Sequence, residues 1–261
     1  MGKKKGNHPD SSLFDKQKAS TLSALQEEDK SRKGSVDAPI HNFVSTINNH
    51  PDFFTLSSCS GRILLSSGVK KQGLKWIYAS HQLGAEEEFL RSLDNALQGD
   101  EFQSGDDSSP ILMFKMEAFI LHVQCRNTEF ARAFLLLATE SGFRNSGITL
   151  SKSGKVVLAI RSSHGLEVPL FLNKPENSLS VSHSYLAQLL VHANQKMAQN
   201  EKRHKDLFER FSSAVWDEPK KVLKPQFLAS PMIKGPRPKE VLTCEPLLDL
   251  EDSLKGLLEE A

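Results

Sequence analysis

Strand-like and helix-like apolar patterns follow one another along this chain without strict strand–helix–strand alternation, and that order constrains the fold more than any other feature. Asp37 before Ala38-Pro39 reads as a helix start, with Asp capping free amides and Pro fitting the first turn; Ile40, Phe43, Val44 and Ile47 then mark one helical face. Phe53 to Leu56 and Ile63 to Leu65 are strand candidates bracketing a polar loop, and Trp76 to Ala79 is a third. Phe89, Leu90, Leu93 and Leu97 form a helix face, and Gln98 to Ser109 a polar loop. Apolar runs follow at Ile111 to Phe114 and Phe119 to Val123. Thr128 caps a helix through Leu137, which Gly142 stops. Ile148 to Leu150, Val156 to Ile160 and Leu166 to Phe171 are three further strands, with Ser153-Gly154 as a turn. Val181 to Phe211 is a long helix whose inner stripe is Leu186, Leu189, Leu190, Ala193 and Met197. The sequence therefore predicts an α+β domain, α/β-like in its three layers, with a mixed β-sheet flanked by helices. Strand, helix, strand patterns occur on both sides of Met116 and suggest duplication, although no sequence repeat accompanies them.

Composition bounds the rest. The apolar fraction, 38%, is below the globular average, so part of the chain is expected outside the core. Six of the 12 prolines lie after Asp217, and Pro231 to Pro238 reads as a linker. Beyond it, Leu247, Leu248, Leu250, Leu254, Leu257 and Leu258 have the spacing of a short amphipathic helix, with a frayed acidic tail as the blander reading. The expected organisation is an N-terminal, partly helical extension (1–28), one catalytic-size domain (29–215) and a Pro-rich, acidic, disordered tail (216–261). A net charge of +1 excludes a uniformly basic nucleic-acid binder, so any RNA affinity must come from a local patch such as Lys202, Arg203 and Lys205, or else that run is a solvated helix face. Three separated cysteines without a CxxC argue against a disulfide framework or a structural zinc, and no metal is expected. No run approaches the roughly 20 apolar residues of a membrane span, and the N-terminus has no apolar secretory core. A cytoplasmic monomer is the expectation.

Five polar segments sit at element ends. Ser57-Ser58-Cys59-Ser60-Gly61-Arg62 has small residues that let amides turn inward, with hydroxyls and a guanidinium suited to carboxylate or phosphate; a plain serine-rich turn is the equal alternative. In Leu121 to Arg126, alternation puts His122, Gln124 and Arg126 on one strand face and Cys125 on the apolar side. Gly142 to Ile148 offers Arg144, Asn145 and Ser146 as directional hydrogen-bonding groups. In Arg161 to Leu170, Glu167 sits between apolar neighbours and needs a partner such as Arg161 or His164, either for chemistry or as an ordinary ion pair. Ser31 to Asp37 reads as a loop and helix cap. Loops on a rigid sheet that converge in this way make a site without naming its ligand.

These segments, in this order, resemble the tRNA wybutosine-synthesizing protein 3 family of wybutosine N4-methyltransferases. The resemblance rests on Ser31-Arg32-Lys33-Gly34-Ser35-Val36-Asp37, on Phe53-Phe54 with Ser57-Ser58-Cys59-Ser60-Gly61-Arg62-Ile63, and on Leu121-His122-Val123-Gln124-Cys125-Arg126. It continues through Gly142-Phe143-Arg144-Asn145-Ser146-Gly147-Ile148, Arg161-Ser162, His164-Gly165-Leu166-Glu167-Val168-Pro169-Leu170 and Ala193-Asn194-Gln195-Lys196-Met197. Ala118 departs from the proline expected there, and the tail after Trp216 matches nothing in the family. The resemblance implies S-adenosylmethionine as donor, a 4-demethylwyosine-type base at position 37 of phenylalanine tRNA as acceptor, and a fold other than the Rossmann-like methyltransferases. The absence of a glycine-rich loop after the first strand agrees with the last point. It also implies that such a domain works beside, or fused to, other wybutosine-pathway enzymes.

On that basis Ser57, Ser58, Ser60, Gly61 and Arg62 are assigned to the polar ends of the donor or to nucleotide phosphate, and His122, Arg126, Arg144, Asn145 and Ser146 to the nucleotide or the donor carboxylate. Glu167 or His164 is assigned as the proton acceptor. Two rivals stand beside this reading: a non-catalytic tRNA-binding module, and a hydrolase with Cys59 or Ser58 as nucleophile, which needs a nearby base and, for Cys59, a stabilised thiolate.

Overall fold

The computed structural model describes residues 11–27, 35–68, 74–98, 112–171 and 181–217. Five α-helices are present among them, α1 (Ser11–Glu27), α2 (His41–Asn49), α3 (Glu86–Leu97), α4 (Thr128–Glu140) and α5 (His183–Ser213), with a 3-10 turn at Ala38–Ile40 leading into α2. Eight strands accompany them: β1 (Phe53–Cys59), β2 (Arg62–Ser67), β3 (Lys75–Ser80), β4 (Leu112–Glu117), β5 (Ile120–Cys125), β6 (Gly147–Leu150), β7 (Val156–Arg161) and β8 (Leu166–Phe171). The α+β class holds, with helices flanking the strands. The one mixed sheet resolves into two four-stranded sheets, ordered β1-β5-β7-β6 and β3-β2-β4-β8, in which every pair is antiparallel. No described helix is long and apolar enough to cross a membrane. The expected linker and leucine-rich tail lie outside the described residues.

The two sheets are built from shared stretches of chain. β1 gives way to β2 after Ser60-Gly61 alone, β4 to β5 after Ala118-Phe119, and β7 to β8 after residues 162–165. Arg62 lies opposite Glu117 and Cys59 opposite Ile120, while Ile120 faces Arg161 and Met116 faces Leu166. Three chain segments therefore break at one level, and one sheet continues into the other across a joint. The polar loop expected at Ser57 to Arg62 is strand almost throughout, with its break at Gly61, whose φ of 99° is open to glycine at little cost.

Strand alternation sorts the faces. Leu121, Val123 and Cys125 of β5 and Val156, Leu158 and Ile160 of β7 pack against α2, α4 and the C-terminal half of α5. Ile63, Leu65, Phe114 and Met116 of the second sheet pack against α3 and the N-terminal half of α5. The first core is aromatic: Phe53, Phe134 and Phe211 are fully or almost fully buried, and Trp216 stacks within 4.9 Å of both Phe53 and Phe211. Each such ring contributes about 1.5–3 kcal/mol by burial. Trp216 stands one residue past the expected domain boundary; its indole N–H donates to the Phe211 carbonyl at 3.0 Å.

Helix ends follow local chemistry. Gly142, φ 92°, stops α4 as expected. The cap at its other end is Asn127, whose side chain accepts from Phe130 N, so Thr128 is the first helical residue and not the cap. Ser182 caps α5 in the same way. Asp37 makes no capping bond; its carboxylate is used elsewhere. On the opposite face of the first sheet lies α1, its Phe14 packed on Phe54 at 5.3 Å.

Candidate active site at the joint of the sheets

A broken strand pair leaves backbone donors and acceptors without ladder partners, and burying them unpaired is costly. Side chains supply the partners here. Asn200 of α5, 2% exposed, donates from Nδ2 to the Ser60 carbonyl at 2.7 Å and accepts from Phe119 N–H at 2.7 Å. From the other side Asp37, also buried, accepts from Ser60 N–H at 2.8 Å and from Ser60 Oγ at 3.1 Å. His81 Nδ1 lies 2.8 Å from the Gly61 carbonyl and 3.2 Å from Asp37 Oδ2; both are acceptors, so that nitrogen carries the proton. Asn194 brackets Gly84 through both its amide groups, at 2.8 and 2.9 Å. His204, one turn beyond Asn200, stacks on Phe119 at 5.6 Å, and burial pushes its pKa down to about 4.

The face away from α5 carries the free-facing polar groups. Ser57 Oγ and His122 Nδ1 are 2.9 Å apart, and Arg161 reaches His122 Nε2 at 3.2 Å. The Arg161 backbone N–H donates to Ser146 Oγ at 3.1 Å, tying the loop before β6 to this cluster. Across the joint, Arg62 donates from Nε to Glu117 Oε2 at 2.7 Å, its guanidinium 4.5 Å above the Trp76 ring. Lys115 pairs with Glu167 at 2.7 Å. Arg62 and Glu117 both bear electrostatically on Cys59, which shares a cross-strand row with Ile120 and Arg161, so the two polar clusters adjoin.

The sequence-assigned residues divide accordingly. Ser57, His122, Ser146 and Arg62 sit around the joint, while Ser60 and Gly61 form its buried wall and Ser58 is half-buried opposite Leu121. Arg144 and Asn145 are exposed in the loop leading to β6. Arg126 stands at the far end of β5, where it binds Asp52, the Pro51 carbonyl and Asp15 and covers the Phe14 ring. It clamps α1 to the sheet, and the hydrogen bond it donates to Asp15 foremost raises its pKa. Gln124, on the same strand face, is buried against Gln17 of α1 at 2.6 Å. Glu167 is mostly exposed on the Lys115 side. His164, by contrast, feels Arg203 and Lys196 of α5, its pKa lowered first by burial and then by those cations. The two assigned proton acceptors thus have different surroundings.

Residues not singled out from sequence carry much of the geometry: Asn200, His81, Glu117 and Trp76. From sequence Asp37 reads as a helix cap within the Ser31–Asp37 segment, whereas its carboxylate holds Ser60. Cys59 does not meet the requirement of a nucleophile. Burial first, and then Asp37 and Glu117, raise its pKa and keep it a thiol. Asp37, Cys59 and His81 place ligand-type atoms within 4.8 Å of one another, yet Asp37 Oδ2 and His81 Nδ1 are already bonded to Ser60 and Gly61.

The family model described as Methyltransferase TYW3 matches residues 16–213. The tRNA wybutosine-synthesizing protein 3 homolog of Danio rerio is 42% identical over 193 residues, covering 72% of this chain and 69% of the relative. That of Homo sapiens is 42% identical over 211 residues, covering 78% and 73%. The tRNA wybutosine-synthesizing protein 2/3/4 of Arabidopsis thaliana is 38% identical over 203 residues, 73% of this chain but 20% of that much longer protein. Among solved structures, the PH1069 protein of Pyrococcus horikoshii aligns with a TM-score of 0.65 at 28% identity, over 77% of this chain and 96% of that one.

Proposed function

This chain belongs to the Methyltransferase TYW3 family, and on that premise we propose that it is a tRNA methyltransferase of wybutosine synthesis. The finer reading is transfer from S-adenosylmethionine to N4 of the 4-demethylwyosine-type base at position 37 of phenylalanine tRNA. The observation that carries it is the joint itself: two guanidinium groups, a histidine, a hydroxyl and a carboxylate gathered on one face where two sheets meet.

The residues present fit a zwitterionic donor. Arg62, steadied by Glu117 and Trp76, has its Nη groups to offer a carboxylate, and Glu117, 41% exposed, can also receive an ammonium or ribose hydroxyls. S-adenosylmethionine supplies, when bound, an electrophilic methyl group on a sulfonium. The chain's contribution is alignment of the acceptor nitrogen in line with that methyl and exclusion of water. Arg161 occupies His122 Nε2, so that nitrogen positions rather than accepts a proton. Glu167 shares the outer face of the second sheet with Arg62 and Glu117 and is the better placed proton acceptor; His164 is set aside. Arg144, Asn145 and the Lys202–Lys205 face of α5 are assigned to the tRNA backbone, giving salt-dependent binding.

The test combines purified protein, donor labelled in its methyl group, and tRNA from cells lacking this step. Label is expected at nucleotide 37. Binding of tRNA with no affinity for the donor supports a non-catalytic module instead and overturns the proposal. Arg62→Ala is expected to lower turnover at least tenfold, on the scale of one charge-assisted hydrogen bond.

A further inference from the structure

Resting on the reading that the joint is the methyl-transfer site, we propose that Arg161 is a positioning residue that holds His122 in its Nδ1–H tautomer and so turns the Ser57 hydroxyl proton outward, toward an acceptor atom of the bound base. A guanidinium has donors and no acceptor, so the 3.2 Å contact from Arg161 requires a lone pair on His122 Nε2. A neutral ring with its lone pair on Nε2 carries its proton on Nδ1. Nδ1 is 2.9 Å from Ser57 Oγ, so it donates there and the serine oxygen accepts. The serine's own proton is left to point away from the ring. Burial, and then Arg161 itself, lower the His122 pKa, which keeps the ring neutral and the direction of the chain fixed.

The space beside this chain is shaped for a flat ligand. Ser57, His122, Ala159 and Gly147 form one cross-strand row, so the two positions beyond His122 carry a methyl group and no side chain. A Cβ added at Gly147 would meet nothing within 4 Å. A shelf of two small residues next to an oriented hydroxyl suits a planar ring presenting a carbonyl oxygen or an unprotonated ring nitrogen. It disfavours one presenting an N–H at that point, because two donors would then face each other.

The tautomer is directly measurable in the full chain labelled with 15N-histidine, using two-bond 1H–15N correlations, with His122 assigned from His122→Gln. The wild-type ring is expected in the Nδ1–H form. Arg161→Met should return it to the Nε2–H form, and Arg161→Lys, which still offers a donor, should restore Nδ1–H. An Nε2–H ring in the wild type overturns the proposal whatever the variants do. In the methyl-transfer assay, Arg161→Met and Ser57→Ala should each lower kcat/KM about tenfold, the scale of one hydrogen bond, and the double variant should lose no more than either alone. Losses that multiply also overturn it. If the wild-type chain transfers no methyl group, the proposed function falls, while the spectra still decide the tautomer.

Discussion

Replacing Asn200 by Leu removes two hydrogen bonds and keeps the volume, which makes it the sharpest probe of how the joint is held. The side chain is 2% exposed and satisfies two backbone groups that the strand breaks leave without partners: the Ser60 carbonyl and the Phe119 N–H, both at 2.7 Å. The amide nitrogen lies 2.8 Å from where a Cβ on Gly61 would be, so little room is left for a water to substitute. Each buried backbone group left unpaired costs about 1–3 kcal/mol, so the pair predicts a loss of about 4 kcal/mol. In urea unfolding the midpoint should fall with m unchanged, and for a domain of this size Tm should drop by about 8–16 °C. Gln199→Leu, on the neighbouring exposed position, should stay within about 0.5 kcal/mol. A loss below about 1 kcal/mol for Asn200→Leu, with the control behaving as stated, would refute the idea that these two bonds hold the breaks. The Asn200→Asp variant adds a sign test. A carboxylate can mimic the amide's donor only when protonated, so its folded pKa is raised. Its stability should be greatest below about pH 4 and decline as pH rises through that raised value.

Three further outcomes follow from the same region. Gly61→Ala places a Cβ 2.9 Å from the Glu117 carbonyl at φ 99° and should cost about 2–4 kcal/mol in denaturant unfolding, whereas Gly147→Ala, in open space, should leave stability within about 0.5 kcal/mol yet raise KM for tRNA by filling the shelf. His204 has a folded pKa of about 4 against about 6.5 unfolded, so it favours the folded state fully above the unfolded value. Stability should therefore fall by about 2–3 kcal/mol as pH drops from 6.5 to 4, and His204→Gln should flatten that part of the urea-unfolding profile.

Periodicity made the strands and long helices legible because each buries one face. The alternation of Leu121, Val123 and Cys125, or the stripe of Leu186, Leu190, Ala193 and Met197, has only one way to meet a core. The joint was hidden because its grammar is non-local. Ser57 to Arg62 has a loop's composition and a strand's structure, and only β5 and β4 pairing across it shows the difference. Asn200, polar within an apolar stripe of α5, is a signal that points to it, since a buried amide needs partners and those lie 81 and 140 residues away. Arg126 and His122 were indistinguishable as polar residues on one strand face; what separates them is α1, which brings Asp15 and Phe14 to one end of β5 and leaves the other open. The family likeness identified the segments without sorting wall from lining.

The strand orders explain why the chemistry gathers where it does. Read from their outer hairpins, the sheets run β3-β2-β4-β8 and β6-β7-β5-β1, an edge hairpin followed by two strands in each. Position by position this match sets β1, β2, β3 and β4 against β8, β7, β6 and β5, so it reverses chain order and is not the order-preserving copy that a duplication on either side of Met116 would give. Such an arrangement has its breaks at the centre, where neither sheet's ladder satisfies the backbone and both sheets' outward side chains converge. The core side of each break must be sealed, which Asn200, Asp37 and His81 do. The outer side can stay open, and there the ends of β1, β7, β2 and β4 contribute Ser57, Arg161, Arg62 and Glu117 to a common surface. A site of this kind needs no glycine-rich loop and no helix N-terminus to hold a charged ligand, since its cations come from strand ends held by the joint. Loosening the seal should therefore degrade ligand binding even though no sealing residue lines the outer face.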